Sequence, residues 1–259
     1  MSREKVVSLK NERVKAAAAL KTTRGRKESG CFLLEGQKLV AEGIAAGYDL
    51  VEVFYTDEQA LLRSGAARER ATEVSDEVLA RIANTVTPQG VVAVARRKEQ
   101  AALVLAPNGR YVLLENLQNA GNVGNILRTA EAFGIDGAIF CGDAVDIFAP
   151  KVLRGSMGSA LRLPTLHFKS VEQAAAALRG AGLSLWGAAL RDDAQLLTQA
   201  GEGCGAIAIG NEGAGLTGRL LDLCDKLVLI PMKGETESLS APCAAAVLLW
   251  ELWGRRFNR

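Results

Sequence analysis

The chain has 259 residues, of which 49% are hydrophobic and 23% are charged, and its formal net charge is +2. This composition is that of an ordinary soluble protein with enough apolar material for one large or two modest domains. No apolar run approaches the roughly 18 residues of a membrane helix, and residues 1–20 lack the apolar block of a signal peptide, so we expect a cytoplasmic protein.

The cysteine and histidine content argues against several kinds of site. The cysteines are odd in number, widely spaced and form no Cys-x-x-Cys pair, so neither a disulfide framework nor a zinc site is indicated. We expect them to be small core residues. The single histidine, His167, lies in a predicted strand and is expected to be structural, which disfavours a mechanism that uses a histidine base. The cysteines are Cys31, Cys141, Cys204, Cys224 and Cys243.

Positive charge is concentrated near the amino terminus. Residues 1–30 contain nine Lys or Arg against three Glu, a local charge of +6. Residues 2–20 have helical periodicity, and residues 21–27 form a basic polar turn that could lie along the phosphates of a nucleic acid. A solvated helix face that runs into a basic turn is the alternative interpretation.

Apolar segments of strand and helix character alternate along the rest of the chain. The first alternation ends near residue 96 and predicts an α/β unit of about ninety residues. Residues 96–109, a charge cluster followed by Ala-Pro-Asn-Gly, mark the best domain boundary. The second alternation predicts a mainly parallel sheet. Its predicted strands are 111–115, 137–141, 183–189, 206–209 and 226–230, and its helices are 124–133, 149–157 and 171–178.

Two of these strands, 206–209 and 226–230, lead into loops rich in Gly, Glu and Ser. Gly210, Gly213 and Gly215 would let the first loop turn with positive φ and approach a flat ligand closely. We expect the two strands to be neighbours, with both loops at the carboxyl edge where open α/β sheets bind ligands. Simple turns are the alternative for either loop alone. Ser240 is a plausible N-cap of the helix that follows, with Pro242 in its first turn.

A polar segment precedes the helix predicted at 124–133. Asn122 would lie at or before the helix start, and Arg128 six residues further on would lie on a different face. Arg128 has small or apolar neighbours, and a helix arginine in such surroundings is often paired with an acid or extends along the surface. A functional role and this structural one are both open from the pattern alone.

Three blocks in fixed order resemble the SpoU (TrmH) branch of the SPOUT RNA 2′-O-ribose methyltransferases. A further segment, Arg154-Gly155-Ser156-Met157-Gly158, is similar to the Arg-x-Ser-x-Gly helix of that family. Residues 1–96 resemble the L30e-like RNA-binding domain in architecture and in the phrase Phe32-Leu33-Leu34-Glu35-Gly36. The three blocks are Asn122-x-Gly124-x-x-x-Arg128 with the residues up to Gly134, Ile209 to Leu216, and Ile230-Pro231-Met232-x-Gly234 running to Ser238-Leu239.

The resemblance implies an α/β protein with an L30e-like RNA substrate-binding domain at 1–100 and a SPOUT methyltransferase domain at 107–259. The second domain would have a parallel sheet and a C-terminal trefoil knot, use S-adenosylmethionine and act as a homodimer, without metal or membrane. The implied reaction is ribose 2′-O-methylation of 23S-type ribosomal RNA. A tRNA 2′-O-methyltransferase and a catalytically weak RNA-binding protein of the same fold are the alternatives.

The resemblance also implies roles for individual residues. A guanidinium stays protonated at ordinary pH, so Arg128 would bind the adjacent phosphate or the developing alkoxide rather than act as a simple base. Glu212 would order its loop or orient a partner in the site. The implied catalytic residues are Asn122, Arg128 and Glu212. The implied cofactor residues are Gly210, Gly215, Ile230, Met232 and Leu239. The implied RNA-binding residues are Ser238, Ser240, Arg154, Arg24, Arg26 and Lys27.

One departure from the family pattern and one rival motif are present. The family usually has Ser-Leu-Asn-Val-Ser where this chain has residues 238–242, Ser-Leu-Ser-Ala-Pro. The change shortens a polar group that the resemblance places near the substrate or near the partner's arginine, and Pro242 stiffens the start of the helix. Residues 213–218 are a literal G-x-G-x-x-G, the nicotinamide-dependent alternative. Asn211 and Glu212 separate it from its strand, and only one more strand follows without a terminal acid, which disfavours that alternative.

Overall fold

The computed structural model describes residues 5–98, 103–233 and 238–256, and the chain divides into two compact units. Unit 1 consists of Met1–Glu99 and Asp146–Arg162, and unit 2 of Gln100–Val145 and Leu163–Arg259. The segment Asp146–Arg162, which the sequence analysis assigns to the second domain, therefore packs as part of unit 1. The division into an RNA-binding and a catalytic domain stays a prediction.

The helices and strands alternate as the sequence pattern indicates. The helices are α1 (Glu12–Ala19), α2 (Thr23–Ser29), α3 (Gln37–Ala45), α4 (Glu58–Ser64), α5 (Asp76–Ile82), α6 (Ala120–Ala132), α7 (Pro150–Ser156), α8 (Ser159–Arg162), α9 (Val171–Gly180), α10 (Gly218–Leu223) and α11 (Ala241–Leu252). The strands are β1 (Cys31–Glu35), β2 (Leu50–Tyr55), β3 (Ala71–Glu73), β4 (Val91–Arg96), β5 (Tyr111–Glu115), β6 (Gly137–Cys141), β7 (Thr165–Phe168), β8 (Leu185–Ala188), β9 (Gln195–Leu196), β10 (Ala206–Ile209) and β11 (Lys226–Leu229).

The first helix is shorter than predicted. It begins only after Asn11, whose side chain accepts a hydrogen bond from the Arg13 N–H at 3.0 Å and caps the helix. The described residues before it are not helical, and Val6 forms an isolated parallel bridge with Val74 beyond the end of β3. The predicted basic turn at 21–27 is also different, because most of it belongs to α2, which Thr22 caps.

The sheet of unit 1 has the order β1-β4-β2-β3. Its pairs are antiparallel except β2 with β3, which is parallel. Residues of α1 and α5, including Val14, Val78 and Ile82, pack with Leu33 and Phe54 of the strands to form the core. Complete burial of each such apolar side chain contributes about 1.5–3 kcal/mol to folding.

An ion cluster around the buried Arg26 holds the start of the segment Asp146–Arg162 within unit 1. One carboxylate oxygen of Asp146 accepts hydrogen bonds from Arg26 Nε at 2.7 Å and from Arg97 Nη2 at 2.8 Å. Burial by itself would raise the pKa of Asp146, but the hydrogen bond from Arg26 and the charge of Arg97 hold it below its ordinary value. The ring of Phe148 packs beside the cluster, with the Arg97 guanidinium 4.8 Å from its centroid.

Unit 2 contains a seven-stranded sheet in the order β7-β6-β5-β10-β8-β11-β9 among the described residues. All of its pairs are parallel. The predicted α/β fold with a parallel sheet is therefore confirmed. The prediction that strands β10 and β11 are neighbours is wrong, because β8 lies between them, pairing Gly187 with Ala208 on one side and with Leu227 on the other.

Helix α11 packs against α6, and its only charged residue is Glu251. The ring of Trp250 lies 5.6 Å from the ring of Phe133, which follows α6 directly. Leu248 and Leu249 are fully buried, whereas Trp250 is 50% exposed and Val247 is 40% exposed. An apolar helix that leaves such side chains in solvent is a surface suited to contact with another molecule.

The cysteines differ in burial, and His167 lies against an aromatic ring. Cys31 and Cys141 are buried as expected, but Cys243 is exposed because it lies on the outer side of the first turn of α11. His167 stacks on Phe140, with their ring centroids 4.9 Å apart. In the part of the chain that the structure describes, no helix has the length and apolar character that crossing a membrane requires.

Candidate functional site

A cavity of about 400 Å³ opens at the carboxyl edge of the sheet in unit 2. Its walls are the loops that follow β8, β10 and β11, together with the first turn of α11. The five residues predicted to hold a cofactor all line it: Gly210, Gly215, Ile230, Met232 and Leu239. Their convergence follows from the parallel sheet, in which every strand ends at the same edge.

Sequence reasoning missed one wall of this cavity. Residues 188–191 also line it, because they follow β8, the strand that separates β10 from β11. Within this loop the Arg191 guanidinium forms two hydrogen bonds of 2.8 Å with the carboxylate of Asp193. A signal for this wall was available, since the loop leaves a predicted strand of the same sheet.

The loop after β10 depends on glycine at two positions, for different reasons. A Cβ on Gly210 would overlap the Gly215 carbonyl group, so only glycine lets the two segments approach. Gly215 has φ +69°, in the left-handed region that favours glycine. The expectation of positive φ is wrong for Gly210 and Gly213, because the loop closes by direct backbone pairing rather than by three left-handed turns.

Asn211 closes this loop and anchors it to β5. Its backbone exchanges hydrogen bonds of 3.0 and 2.9 Å with Gly215, and its side-chain oxygen accepts from the N–H groups of Gly213 and Ala214. Its side-chain amide donates to the carbonyl of Asn116, just beyond the end of β5, at 3.0 Å. The loop is thus held in its shape by its own hydrogen bonds and by its bond to Asn116.

A buried acid fixes the far end of the same loop. Glu115, the last residue of β5, is 2% exposed. Its carboxylate accepts hydrogen bonds from the Thr217 N–H at 2.8 Å and from the Thr217 hydroxyl at 2.6 Å. Thr217 in turn caps α10. Sequence reasoning missed both residues, although a glutamate that ends an otherwise apolar strand was a visible signal.

The side chains of Asn122 and Glu212 meet at the edge of the cavity. Asn122 Nδ2 donates to Glu212 Oε1 at 2.9 Å, and Glu212 lines the cavity. Asn122 lies inside α6 rather than before it, because Asn119 caps the helix by accepting from the Gly121 N–H at 2.9 Å. The helix therefore begins four residues earlier than predicted.

Arg128 lies on α6 but does not contribute to the cavity wall. Its side chain is exposed, and it has no hydrogen-bond or ion-pair partner among residues 5–98, 103–233 and 238–256. The structural alternative of an arginine paired with an acid is therefore not what the fold shows. An exposed, unpaired guanidinium is available to bind an anion.

Of the two serines predicted to contact RNA, only Ser238 lines the cavity. Ser240 is exposed and occupies the N-cap position of α11, as predicted, but its side chain makes no capping hydrogen bond, and Pro242 is in the first turn. Its hydroxyl is therefore free to point elsewhere. Gly234, the last glycine of the third block, falls outside the described residues.

The four basic residues predicted to bind RNA lie in unit 1 and differ in availability. The RNA-binding role predicted for Arg26 is wrong, because its side chain is 2% exposed. Its guanidinium donates to Asp146, to two backbone carbonyls and to Thr23, so it is structural. Arg24 is exposed and paired with Glu28 at 2.6 Å. Lys27 and Arg154 are exposed, on α2 and α7.

A comparison of the chain with known protein families identifies the family to which it belongs. Residues 109–250, more than half of the chain, match the SpoU rRNA Methylase family. The chain belongs to this family. Residues 11–93 match the MRM3-like substrate binding domain. The SpoU match includes all three blocks of the cavity region, and the resemblance predicted from those blocks is confirmed.

Named members of the SpoU family align along almost the whole chain. The 23S rRNA (guanosine(2553)-2′-O)-methyltransferase RlmP of Bacillus subtilis (strain 168) is 30% identical over 251 residues, covering 97% of this chain and 100% of its own. The 23S rRNA (uridine(2479)-2′-O)-methyltransferase of Streptomyces viridochromogenes is 30% identical over 268 residues, covering 97% and 93%. A crystal structure of the AdoMet-bound rRNA methyltransferase from Sinorhizobium meliloti superposes with a TM-score of 0.88 at 28% identity, covering 98% and 99%.

Proposed function

We propose that this chain is an S-adenosylmethionine-dependent ribosomal RNA ribose 2′-O-methyltransferase. The observation that carries the proposal is that the residues at the cofactor positions of the SpoU blocks line one cavity, with Glu212 at its edge bonded to Asn122. Relatives that align over nearly the full chain are rRNA 2′-O-methyltransferases by name, and one such structure is AdoMet-bound.

The cavity fits a nucleoside cofactor. Its volume of about 400 Å³ lies within the range of small-molecule sites. Apolar side chains such as Ile209, Leu216 and Ile230 supply flat walls, and the backbone of the closely packed 210–215 loop supplies hydrogen-bonding groups. A Cβ at position 210 would overlap the Gly215 carbonyl, so this wall of the cavity requires glycine there. Bound there, S-adenosylmethionine supplies a methyl group that its sulfonium charge already activates.

Arg128 is the residue that prepares the ribose hydroxyl. Its guanidinium stays protonated at ordinary pH, so it acts by charge: it binds the adjacent phosphate or the developing alkoxide and lowers the pKa of the 2′-hydroxyl. The proton leaves to water or to a phosphate oxygen. Its exposed, unpaired state among the described residues leaves all of its donors available for this.

Asn122 and Glu212 hold the two sides of the site in place and do not themselves take part in the chemical step. Their hydrogen bond links the start of α6 to the loop that forms the cavity wall, so the nucleotide side and the cofactor side of the site share one rigid connection. Ser238 lies in the cavity wall, and Ser240 is exposed at the N-cap of α11. We assign both to the sugar-phosphate of the substrate, where short hydroxyls hydrogen-bond without reading a base.

A 23S-type ribosomal RNA is the substrate that the relatives support. RlmP and the Streptomyces enzyme are named for a guanosine and a uridine at different positions, so family membership does not define the nucleotide. Lys27, Arg24 and Arg154 supply exposed positive charge for the phosphate backbone in unit 1.

We further propose that the protein is a homodimer with a trefoil knot at its C-terminal end and acts in the cytoplasm, where ribosomes are made. The exposed Val247 and Trp250 support the dimer, because they lie on α11, which packs against the helix that carries Arg128. Sedimentation analysis tests this part: the wild type should be a dimer and Trp250→Glu should shift it to monomer.

The catalytic proposal is tested by two measurements on the full chain. Titration calorimetry with S-adenosylmethionine should show binding, and incubation with radiolabelled cofactor and rRNA from cells that lack the gene should yield 2′-O-methylated nucleotides. Mapping those positions in RNA from cells with and without the gene identifies the target. Cofactor binding without product would instead support an RNA-binding protein, and methylation confined to tRNA would replace the substrate assignment.

A further inference from the structure

A second cavity, of about 170 Å³, lies within unit 1. It is formed by the end of β1, by α3, by the loop between α5 and β4, and by α7. Leu33, Leu39 and Leu153 supply apolar wall. None of its lining residues belongs to the cofactor cavity, which is built entirely from unit 2. Eight of its lining residues lie within residues 11–93, which match the MRM3-like substrate binding domain.

The acids at this cavity are already used by the fold. The carboxylate of Glu35 accepts the N–H groups of Asn84 at 2.8 Å and Thr85 at 3.2 Å, and it also accepts the Thr85 hydroxyl. Glu42 is paired with Arg162 of α8. These contacts shape the cavity: neutral donors stabilise the Glu35 carboxylate, and Arg162 compensates the charge of Glu42.

The cations at the cavity have no such partners. Lys38 and Arg154 both line it, both are exposed, and neither side chain has a hydrogen-bond or ion-pair partner in the described part of the chain. The rim is therefore poised to bind an anion.

Met157 completes the wall in an unusual backbone conformation. It has φ +51°, a left-handed geometry that is disfavoured for a residue with a long side chain, and it is 44% exposed. Gly158 follows with φ +93°, where a Cβ would press on Glu42 and Arg162. The turn thus holds an apolar side chain over the cavity at the cost of backbone strain, a pattern that points to use of that side chain.

We propose that this cavity receives one unstacked base of the substrate RNA, with Lys38 and Arg154 binding the flanking phosphates. A volume of about 170 Å³ is too small for a drug-sized ligand, which needs about 300 Å³ or more, but suits a single planar ring system. RNA-binding proteins commonly read bases that are splayed out of a single strand. The inference rests on the proposed function, because it takes RNA to be the substrate.

Two tryptophan variants distinguish the effect on RNA binding of filling the cavity from the effect of altering the loop beside it. Asn84 lines the cavity, is exposed and bonds Glu35 only through its backbone N–H, so Asn84→Trp can keep that bond and is designed to fill the cavity with an indole. Val86 lies in the same loop, does not line the cavity and is 99% exposed, so Val86→Trp is the matched control. Both variants should keep the thermal unfolding midpoint of the wild type.

The probe is a fluorescein-labelled single-stranded RNA of about 12 nucleotides, a length typical of single-strand sites. Its binding is measured by the fluorescence anisotropy of the label as protein is added. Asn84→Trp should weaken binding about tenfold or more, as expected for loss of one base contact, and Val86→Trp by less than about twofold. Lys38→Gln should reduce the slope of log affinity against log salt by about one, unlike Lys10→Gln, which changes an exposed lysine that does not line the cavity. A duplex of the same sequence should bind more weakly than the single strand.

Equal affinities of the two tryptophan variants, absence of single-strand binding, or equal binding of duplex and single strand would overturn the inference. The proposed function fails separately. A wild type that binds no S-adenosylmethionine and methylates no RNA contradicts the catalytic proposal, while the RNA titrations still decide whether the cavity holds a base. Normal methylation with indistinguishable tryptophan variants contradicts the cavity proposal alone.

Discussion

The amide of Asn122 donates a 2.9 Å hydrogen bond to the carboxylate of Glu212, ninety residues further along the chain. This bond joins the first block of the SpoU pattern to the second. Asn122→Ala should lower kcat/KM for methyl transfer by about 10- to 100-fold, because a hydrogen bond to a charged group contributes about 1.5–3 kcal/mol. Asn125→Ala, a change of an exposed residue one turn along α6, is the control and should retain activity.

Arg128 is expected to be needed for turnover and not for cofactor binding, since it lies outside the cavity wall. Arg128→Lys should reduce kcat by about 10²–10³-fold, the cost of losing one charge-stabilising donor set. Its S-adenosylmethionine affinity, measured by calorimetry, should match that of the wild type. Near-normal turnover in this variant would refute the role assigned to Arg128, and Arg63→Lys on the surface of α4 serves as the neutral control.

The two glycines Gly210 and Gly213 make a matched pair. Gly210→Ala should weaken S-adenosylmethionine binding by about 10- to 100-fold, because the new methyl group overlaps the Gly215 carbonyl and overpacking costs about 1–3 kcal/mol. Gly213→Ala should bind within about twofold of wild type, since its Cβ would meet only the Asn211 side-chain oxygen at 3.7 Å. Calorimetry on both variants measures these two affinities for S-adenosylmethionine. Equal losses would show that the loop is not shaped as described.

The bond between Thr217 and the buried Glu115 is expected to keep the cavity loop in place. Thr217→Val removes the hydroxyl that donates to Glu115 at 2.6 Å and should lower cofactor affinity about tenfold. Thr217→Ser retains the hydroxyl and should bind like the wild type. Hydrogen exchange should show faster exchange in residues 210–217 of the valine variant only. Unchanged exchange in that variant would mean that the loop does not depend on this bond.

The Asp146 cluster predicts a dependence of stability on pH. Because the folded-state pKa of Asp146 is depressed, its contribution is present above the unfolded pKa of about 3.9 and is lost as pH falls through the lower folded value. Asp146→Asn should lose about 3 kcal/mol of unfolding free energy at pH 7, since it leaves Arg26 buried with its charge uncompensated. The difference from wild type should shrink below about pH 4 in urea titrations. A difference that stays constant with pH would contradict this account.

Local sequence patterns were enough to predict much of the structure of this protein. Alternating helix and strand periodicity predicts the parallel α/β fold, and the glycine-bearing loops after residues 209 and 230 predict a ligand site at one edge of the sheet. These features depend on residues a few positions apart, whose spacing matches the helix or strand period whatever surrounds them. The position of Ser240 at the start of α11 is of the same kind, since an N-cap is a local property.

Relationships between residues far apart in the sequence could not be predicted from it and became visible only in the folded chain. Glu115 meets Thr217 across 102 residues, and Arg26 meets Asp146 across 120, which converts a predicted RNA-binding arginine into a buried structural one. The insertion of β8 between β10 and β11 is likewise invisible to periodicity, because an apolar strand can pair with any other in the sheet. Partner choice depends on the packing free energy of the whole chain, and no local window contains it.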